Sequence, residues 1–188
     1  MAVVTRHILK DEFSGPKAGE RAPVFEALNV DGAPVVFPPK ASSPVLLVLG
    51  SYSCPIFRAN VAGIRAIHRD FGERVEMVYL YTTEAHPAGT VSPYRDSEWL
   101  TGPNRREGIL LSQPRTLDER LARARETVED LNLPIPVLVD LMGNSGWQLY
   151  GSAPSAAYLI DRNRRVTLRQ GWVNPAELDA VLRGAEGS

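Results

Sequence analysis

Residues 44–57 read PVLLVLGSYSCPIF, and the way this stretch divides decides the fold. Val45 to Gly50 is an unbroken aliphatic run bounded by Pro44 and a glycine, the pattern of a strand buried on both faces. From Pro55 the period changes. Phe57, Val61, Ile64 and Phe71 fall on one stripe at about 100° per residue, which predicts a helix over 55–71. Pro55 suits the first helical position, whose N–H has no helical partner in any case. VEMVYLY, residues 75–81, reads as a second buried strand. A strand, a helix of this length and a strand form a βαβ unit, parallel and right-handed.

On the amino-terminal side, VFEALNV and PVVF flank DGA within residues 23–37. This predicts a β-hairpin with Asp31-Gly32 as a two-residue turn. Residues 1–22 are polar and rich in Gly and Lys and read as an arm, which leaves 23–188 as the domain. On the other side, residues 82–115 carry several Pro and Gly and no clear period. Loops of that length are usually functional or disordered. Thr116 opens a helix through the capping box TLDE, with Leu117, Leu121, Ala124, Val128 and Leu131 as its apolar stripe. A third strand is expected over 136–140, then a short helical turn in NSGWQLYG. Two further strands, 156–161 and 165–170, are joined by DRNRR. Asn174, Pro175 and Glu177 start a last helix. The order matches the thioredoxin plan with peroxiredoxin-like additions: an α/β fold with a central mixed sheet flanked by helices and an N-terminal β-hairpin.

The 188 residues fit one domain, since domains commonly run about 100–200 residues. A net charge of -1, from 21 basic and 22 acidic side chains, creates no field for nucleic acid. The arginines between 115 and 125 interleave with acids and read as a solvated helix face. The single cysteine excludes an intramolecular disulfide and cysteine-rich metal sites. His7, His68 and His86 form no ligand-spaced pair, so neither a metal nor a bound cofactor is expected. The start has no signal-peptide pattern, and nowhere do about 18 apolar residues run together. The expectation is a cytoplasmic chain, not bound to membrane, with a reduced thiol.

Cys54 falls where the first central strand gives way to the helix. Unpaired amides and the positive end of the helix dipole would face its sulfur and favour the thiolate, below the free value of about 8.5. TTEAHP, residues 82–87, follows the neighbouring parallel strand. Sites in open α/β sheets form beyond the carboxyl ends of strands, so Cys54 and the Glu84/His86 pair converge there. His86 would accept or deliver a proton near neutral pH, with Glu84 orienting it or carrying the proton itself. Ser51, Ser53, Pro154 and Trp172 are candidates for contacting substrate. Pro154 precedes the strand AAYLID, and a cis bond from Ala153 is one reading of it. His68, inside the helix stripe and 14 residues past Cys54, reads as structural.

These residues carry a family resemblance. GSYSCPIF resembles the active-site motif of the iodothyronine deiodinases, which have selenocysteine at the position of Cys54. VYLYTTEAHP, PVLVDLMGNSGWQLYGSAPSAAYLID and GWVNPAELDAVL continue the likeness from about residue 44 to residue 182. It differs in having Ser53 where the family usually has threonine, and AGTVSPY where an Asp-Gly-Trp tends to follow the histidine. The resemblance implies a thioredoxin fold and a thiol-dependent reductive dehalogenase. Cys54 would attack a halogenated aromatic or another soft electrophile, with Glu84 and His86 as acid/base and positioning pair. With no second cysteine, an outside thiol or a thioredoxin-type partner must regenerate the sulfur. Two alternatives stand beside it: a one-cysteine peroxidase of the peroxiredoxin type, and a non-catalytic thioredoxin-like binding module. Monomer and homodimer are both left open.

Overall fold

The structure, a computed structural model, describes residues 15–40, 42–151 and 154–184. In chain order its strands are β1 (Phe25–Asn29), β2 (Pro34–Phe37), β3 (Val45–Gly50), β4 (Glu76–Tyr81), β5 (Val137–Asp140), β6 (Ala157–Ile160) and β7 (Val166–Gln170). Its helices are α1 (Pro55–Phe71), α2 (Gly102–Glu107), α3 (Leu117–Asp130), α4 (Ser145–Leu149) and α5 (Pro175–Gly184). The strands make one sheet in the order β2-β1-β5-β4-β3-β6-β7. Pairing is parallel for β3–β4–β5 and antiparallel elsewhere. This is the expected mixed sheet with its βαβ unit and N-terminal strand pair.

Alternation along each strand divides the core between two faces. Leu46, Val48, Tyr79, Tyr81 and Val139 face α1, α3 and α5, joining Phe57, Ile64, Leu121 and Leu178. Leu47, Leu49, Val78, Leu80 and Leu138 face the other way, with Phe25, Phe37 and Tyr150. All six residues of β3 are buried, as an unbroken aliphatic run requires.

Three local features differ from expectation. The first hairpin turns through Val30–Gly32 rather than two residues, since Asn29 and Ala33 still pair. Gly32 at φ +90 takes the left-handed position of a three-residue loop, and Asn29 Oδ1 accepts from Asp31 N and Ala33 N. Residues 82–115 hold a helix, α2, capped by Thr101 Oγ1 accepting from Asn104 N. Arg120 is not on a solvated face. It is 2% exposed, and its guanidinium donates to Asp140 O, Leu141 O and Asn144 Oδ1, tying α3 to the turn before α4. Of the residues assigned to the arm, 1–14 lie outside the described ones. Residues 19–22 run beside β7, with Gly19 N donating to Val166 O.

Helices α1 and α5 meet at Gly63, where a Cβ would come within 2.5 Å of Pro175 Cβ. Alanine is the better helix former by about 1 kcal/mol, yet a proline ring cannot swing aside. Gly63→Ala is expected to destabilise the fold by about 1–3 kcal/mol, read from the midpoint of urea unfolding.

Candidate functional site

The carboxyl ends of β3 and β4 lie side by side, Gly50 opposite Tyr81. Hydrogen bonds tie the segment leaving β4, 82–86, to Gly50 and to the segment leaving β3, 51–54. Thr82 N donates to Gly50 O at 3.0 Å. Ala85 N donates to Ser51 Oγ at 3.1 Å, and His86 N to Ser53 Oγ at 2.9 Å. Ser53 N donates to Glu84 Oε2 at 2.7 Å. Cys54 is the N-cap of α1, with Pro55 in the first turn. Cys54, Glu84 and His86 are thus brought to one place by the strand register.

The hydroxyls of Ser51 and Ser53 are buried, and each accepts a hydrogen bond in this joint. Both hold the cysteine loop against the segment that follows β4. Pro154 is buried just before β6. Val48 pairs with Ala157 and Leu49 N donates to Ala156 O, which sets the segment before β6 beside the end of β3. The bond before Pro154 involves Ala153, which lies outside the described residues, as does His7. Trp172 is half-buried and bridges Ser155 at this end of the sheet. His68 is half-buried near the far end of α1.

Several partners had no signal in the sequence. Asn104 on α2 is fully buried and donates through Nδ2 to Ser53 O at 2.9 Å. Arg58, one turn into α1, donates to Tyr52 O, Asn104 Oδ1 and Glu107 Oε2. Gln113 grips the Glu84 backbone from both sides, accepting from its N–H and donating to its carbonyl. The Tyr81 hydroxyl donates to Glu84 Oε1. Of these, only Arg58, four residues past Cys54 on the same helix, was within reach of a spacing argument.

Electrostatics depart from the expectation at two residues. Cys54 is 1% exposed, and burial pushes its thiol up to about 11. The amides of Phe57 and Ile56 and the charge of Arg58 pull it back, while Glu84 adds to the rise. Desolvation therefore outweighs the helix start, and the resting sulfur is a thiol, not the thiolate expected from its position. His86 is 5% exposed, and burial lowers it to about 4, offset by the Trp99 carbonyl and reinforced by Arg58. It is neutral near pH 7 and not a proton donor there. Because Nδ1 lies 3.1 Å from the Trp99 carbonyl oxygen, which only accepts, Nδ1 carries the hydrogen and Nε2 keeps its lone pair. The Trp99 ring meets the imidazole edge-on at 4.4 Å.

Among the described residues, no group of three or more His, Cys, Asp or Glu is placed to hold a metal ion. No helix among them is long and apolar enough to cross a membrane. A cleft of about 670 Å³, between Arg21, Pro38, Lys40, Arg162 and Arg164, lies where β3 begins, away from the sulfur.

The model of the family described as "Iodothyronine deiodinase" matches residues 1–180. The chain is 24% identical over 168 residues to thyroxine 5-deiodinase of Gallus gallus, covering 88% of this chain and 60% of that protein. It is also 24% identical over 124 residues to type II iodothyronine deiodinase of Fundulus heteroclitus, covering 64% of this chain and 43% of that one. The chain thus spans between two fifths and three fifths of these relatives' lengths. Among solved structures, a thiol-disulfide oxidoreductase from Bacteroides fragilis has a TM-score of 0.59 at 12% identity, covering 88% of this chain and 99% of that one. A thiol peroxidase from Chromobacterium violaceum has a TM-score of 0.53 at 14% identity, covering 92% and 90%. At such identities the likeness shows the fold alone, which is thioredoxin-like. With the family model matched over nearly the whole length, the chain belongs to the iodothyronine deiodinase family.

Proposed function

We propose that this protein is a thiol-dependent oxidoreductase that reductively dehalogenates an aromatic substrate, with Cys54 as nucleophile. The observation that carries this reading is the placement of the chain's one thiol at the start of α1, joined through Ser53 to both Glu84 and His86. Family membership and a thioredoxin-like fold support the reaction class.

The steps balance as follows. Cys54 loses its proton, and the thiolate takes the halogen from the aryl carbon. The carbon takes a proton in its place, and a sulfenyl halide remains on Cys54. One external thiol displaces halide and a proton, leaving a mixed disulfide. A second external thiol releases Cys54 as thiol and leaves as the oxidised disulfide. The proton that the thiol gives up is the one the carbon takes, and neutral His86 holds its segment to Ser53 Oγ through its backbone N–H. Glu84 holds the loop in register, with its carboxyl between Ser53 N–H and the Tyr81 hydroxyl. Since Cys54 is 1% exposed, whatever packs over the sulfur must open before a substrate reaches it.

The test is iodide release from an iodinated phenol in the presence of dithiothreitol, with wild type and Cys54→Ser side by side. Release is expected from the wild type and only background from the variant. Equal release from both removes Cys54 from the mechanism. Consumption of hydrogen peroxide without iodide release moves the protein to the peroxidase class.

A further inference from the structure

The cleft of about 670 Å³ lies at the opposite end of β3 from the cysteine loop. Val45 lines it, and the strand then runs to Gly50, four residues before Cys54. A strand's length, about 17 Å, separates the two places. The buried residues of the lining are apolar: Pro38, and the cross-strand pair Val45 and Ile160. The charged residues are nearly all cations. Arg21 precedes β1, Lys40 follows β2, and Arg162 and Arg164 stand in the turn between β6 and β7. Three segments far apart in the chain thus bring four cations to one concavity. Asp161 is the acid of the described lining. Its Oδ1 accepts from Asn163 N and Arg165 N, both at 2.8 Å, and so holds the turn that presents Arg162 and Arg164.

Neighbouring arginines have partners. Arg165, in the same turn, donates to the Gly19 carbonyl oxygen, and Arg58 and Arg123 meet Glu107 and Glu126. Among the described residues, the four cations of the cleft have no side-chain hydrogen bond or ion pair. Like charges gathered in one concavity repel one another, and the field they create there attracts an anion. The backbone of Arg164 points the same way. It is half-buried with φ at +60, the left-handed conformation that glycine or asparagine ordinarily fills. A tight turn gains nothing from arginine at that position; a guanidinium in the cleft is what the residue adds. We propose that this cleft binds a small organic phosphate, its oxygens between the guanidinium groups and its apolar part against Pro38, Val45 and Ile160. Guanidinium forks match phosphate oxygens two at a time. The volume lies within the range of about 300–1,000 Å³ that ligand pockets have. A concave site with an apolar lining suits a soluble ligand better than a flat lipid surface does. The site is independent of the role of Cys54.

The experiment is isothermal titration calorimetry at low ionic strength with inorganic pyrophosphate, adenosine diphosphate and adenosine. Wild type, Arg164→Gly and Arg162→Ala are compared, with thermal unfolding of each. Pyrophosphate and adenosine diphosphate are expected to bind, the second more tightly, and adenosine is not. Arg164→Gly relieves the left-handed backbone, so it should melt at the same temperature or higher. It should nevertheless bind adenosine diphosphate about tenfold more weakly or worse. Arg162→Ala should weaken binding in the same direction. Equal affinity in the wild type and both variants overturns the site, as does a failure of the wild type to bind pyrophosphate at millimolar concentration. Co-sedimentation with phosphatidylglycerol vesicles, without binding of either soluble phosphate, makes the patch a membrane contact and overturns the proposal.

Discussion

Glu84→Ala is expected to destabilise the fold by about 3–5 kcal/mol, seen as a lower urea midpoint with an unchanged slope. Glu84 is 0% exposed, and its two carboxyl oxygens accept from Ser53 N–H and from the Tyr81 hydroxyl. Alanine leaves both donors buried and unpaired, each at about 1–3 kcal/mol, and adds a void. The Gln113 clamp on the Glu84 backbone survives, since it involves no side-chain atom of residue 84. Glu84→Gln separates the two roles of this residue. Its amide oxygen can still accept from Ser53 N–H, and its NH₂ can donate to a Tyr81 hydroxyl turned round to accept. Most of the stability should return. The negative charge that helps raise the Cys54 thiol is gone, so alkylation should be faster than in the wild type. A loss below about 1 kcal/mol in Glu84→Ala would show that the joint between the two segments does not depend on this carboxyl.

The second large effect is on acid stability. His86 titrates at about 4 in the folded protein against an ordinary value of 6.5. Between these values the unfolded chain binds a proton that the folded one refuses. Stability therefore rises with pH across this window and is lost on acidification from 6.5 towards 4. The contribution is up to about 3 kcal/mol, fully present above pH 6.5. His86→Asn keeps a donor for the Trp99 carbonyl but does not titrate. The difference in unfolding free energy between wild type and variant should shrink by that amount as pH falls from 6.5 to 4, and stay level above 6.5. Taking the difference cancels the other titrating groups, including Asp140, which burial raises and which changes stability in the opposite sense. A pH-independent difference would mean that His86 is protonated in the native state.

Much of the architecture was legible because it depends on short-range pattern. The buried strands β3 and β4, the stripe of α1, and the caps at Thr116 and Asn174 all follow from periodicity or from residues three positions apart. Helix α2 was not legible. Its six residues, GPNRRE, carry no apolar stripe, and it is held by a threonine cap and by Asn104 reaching into a loop 51 residues away. Arg120 looked like one more charge on a solvated face. It is buried because the carbonyls of Asp140 and Leu141 lie where α3 crosses β5, and spacing along α3 says nothing of them.

The order of residues alone determined where the central strands end, that Cys54 opens α1, and that Glu84 and His86 leave the adjacent strand. Those features are read over a few residues, where periodicity and capping chemistry act. Only the tertiary structure decided that the sulfur rests as a thiol, that His86 is neutral, and that Ser51 and Ser53 take part in the loop joint. Local amides pull the sulfur one way, but desolvation by segments far along the chain pulls harder. Which segments close over an atom is settled when the sheet and helices have packed.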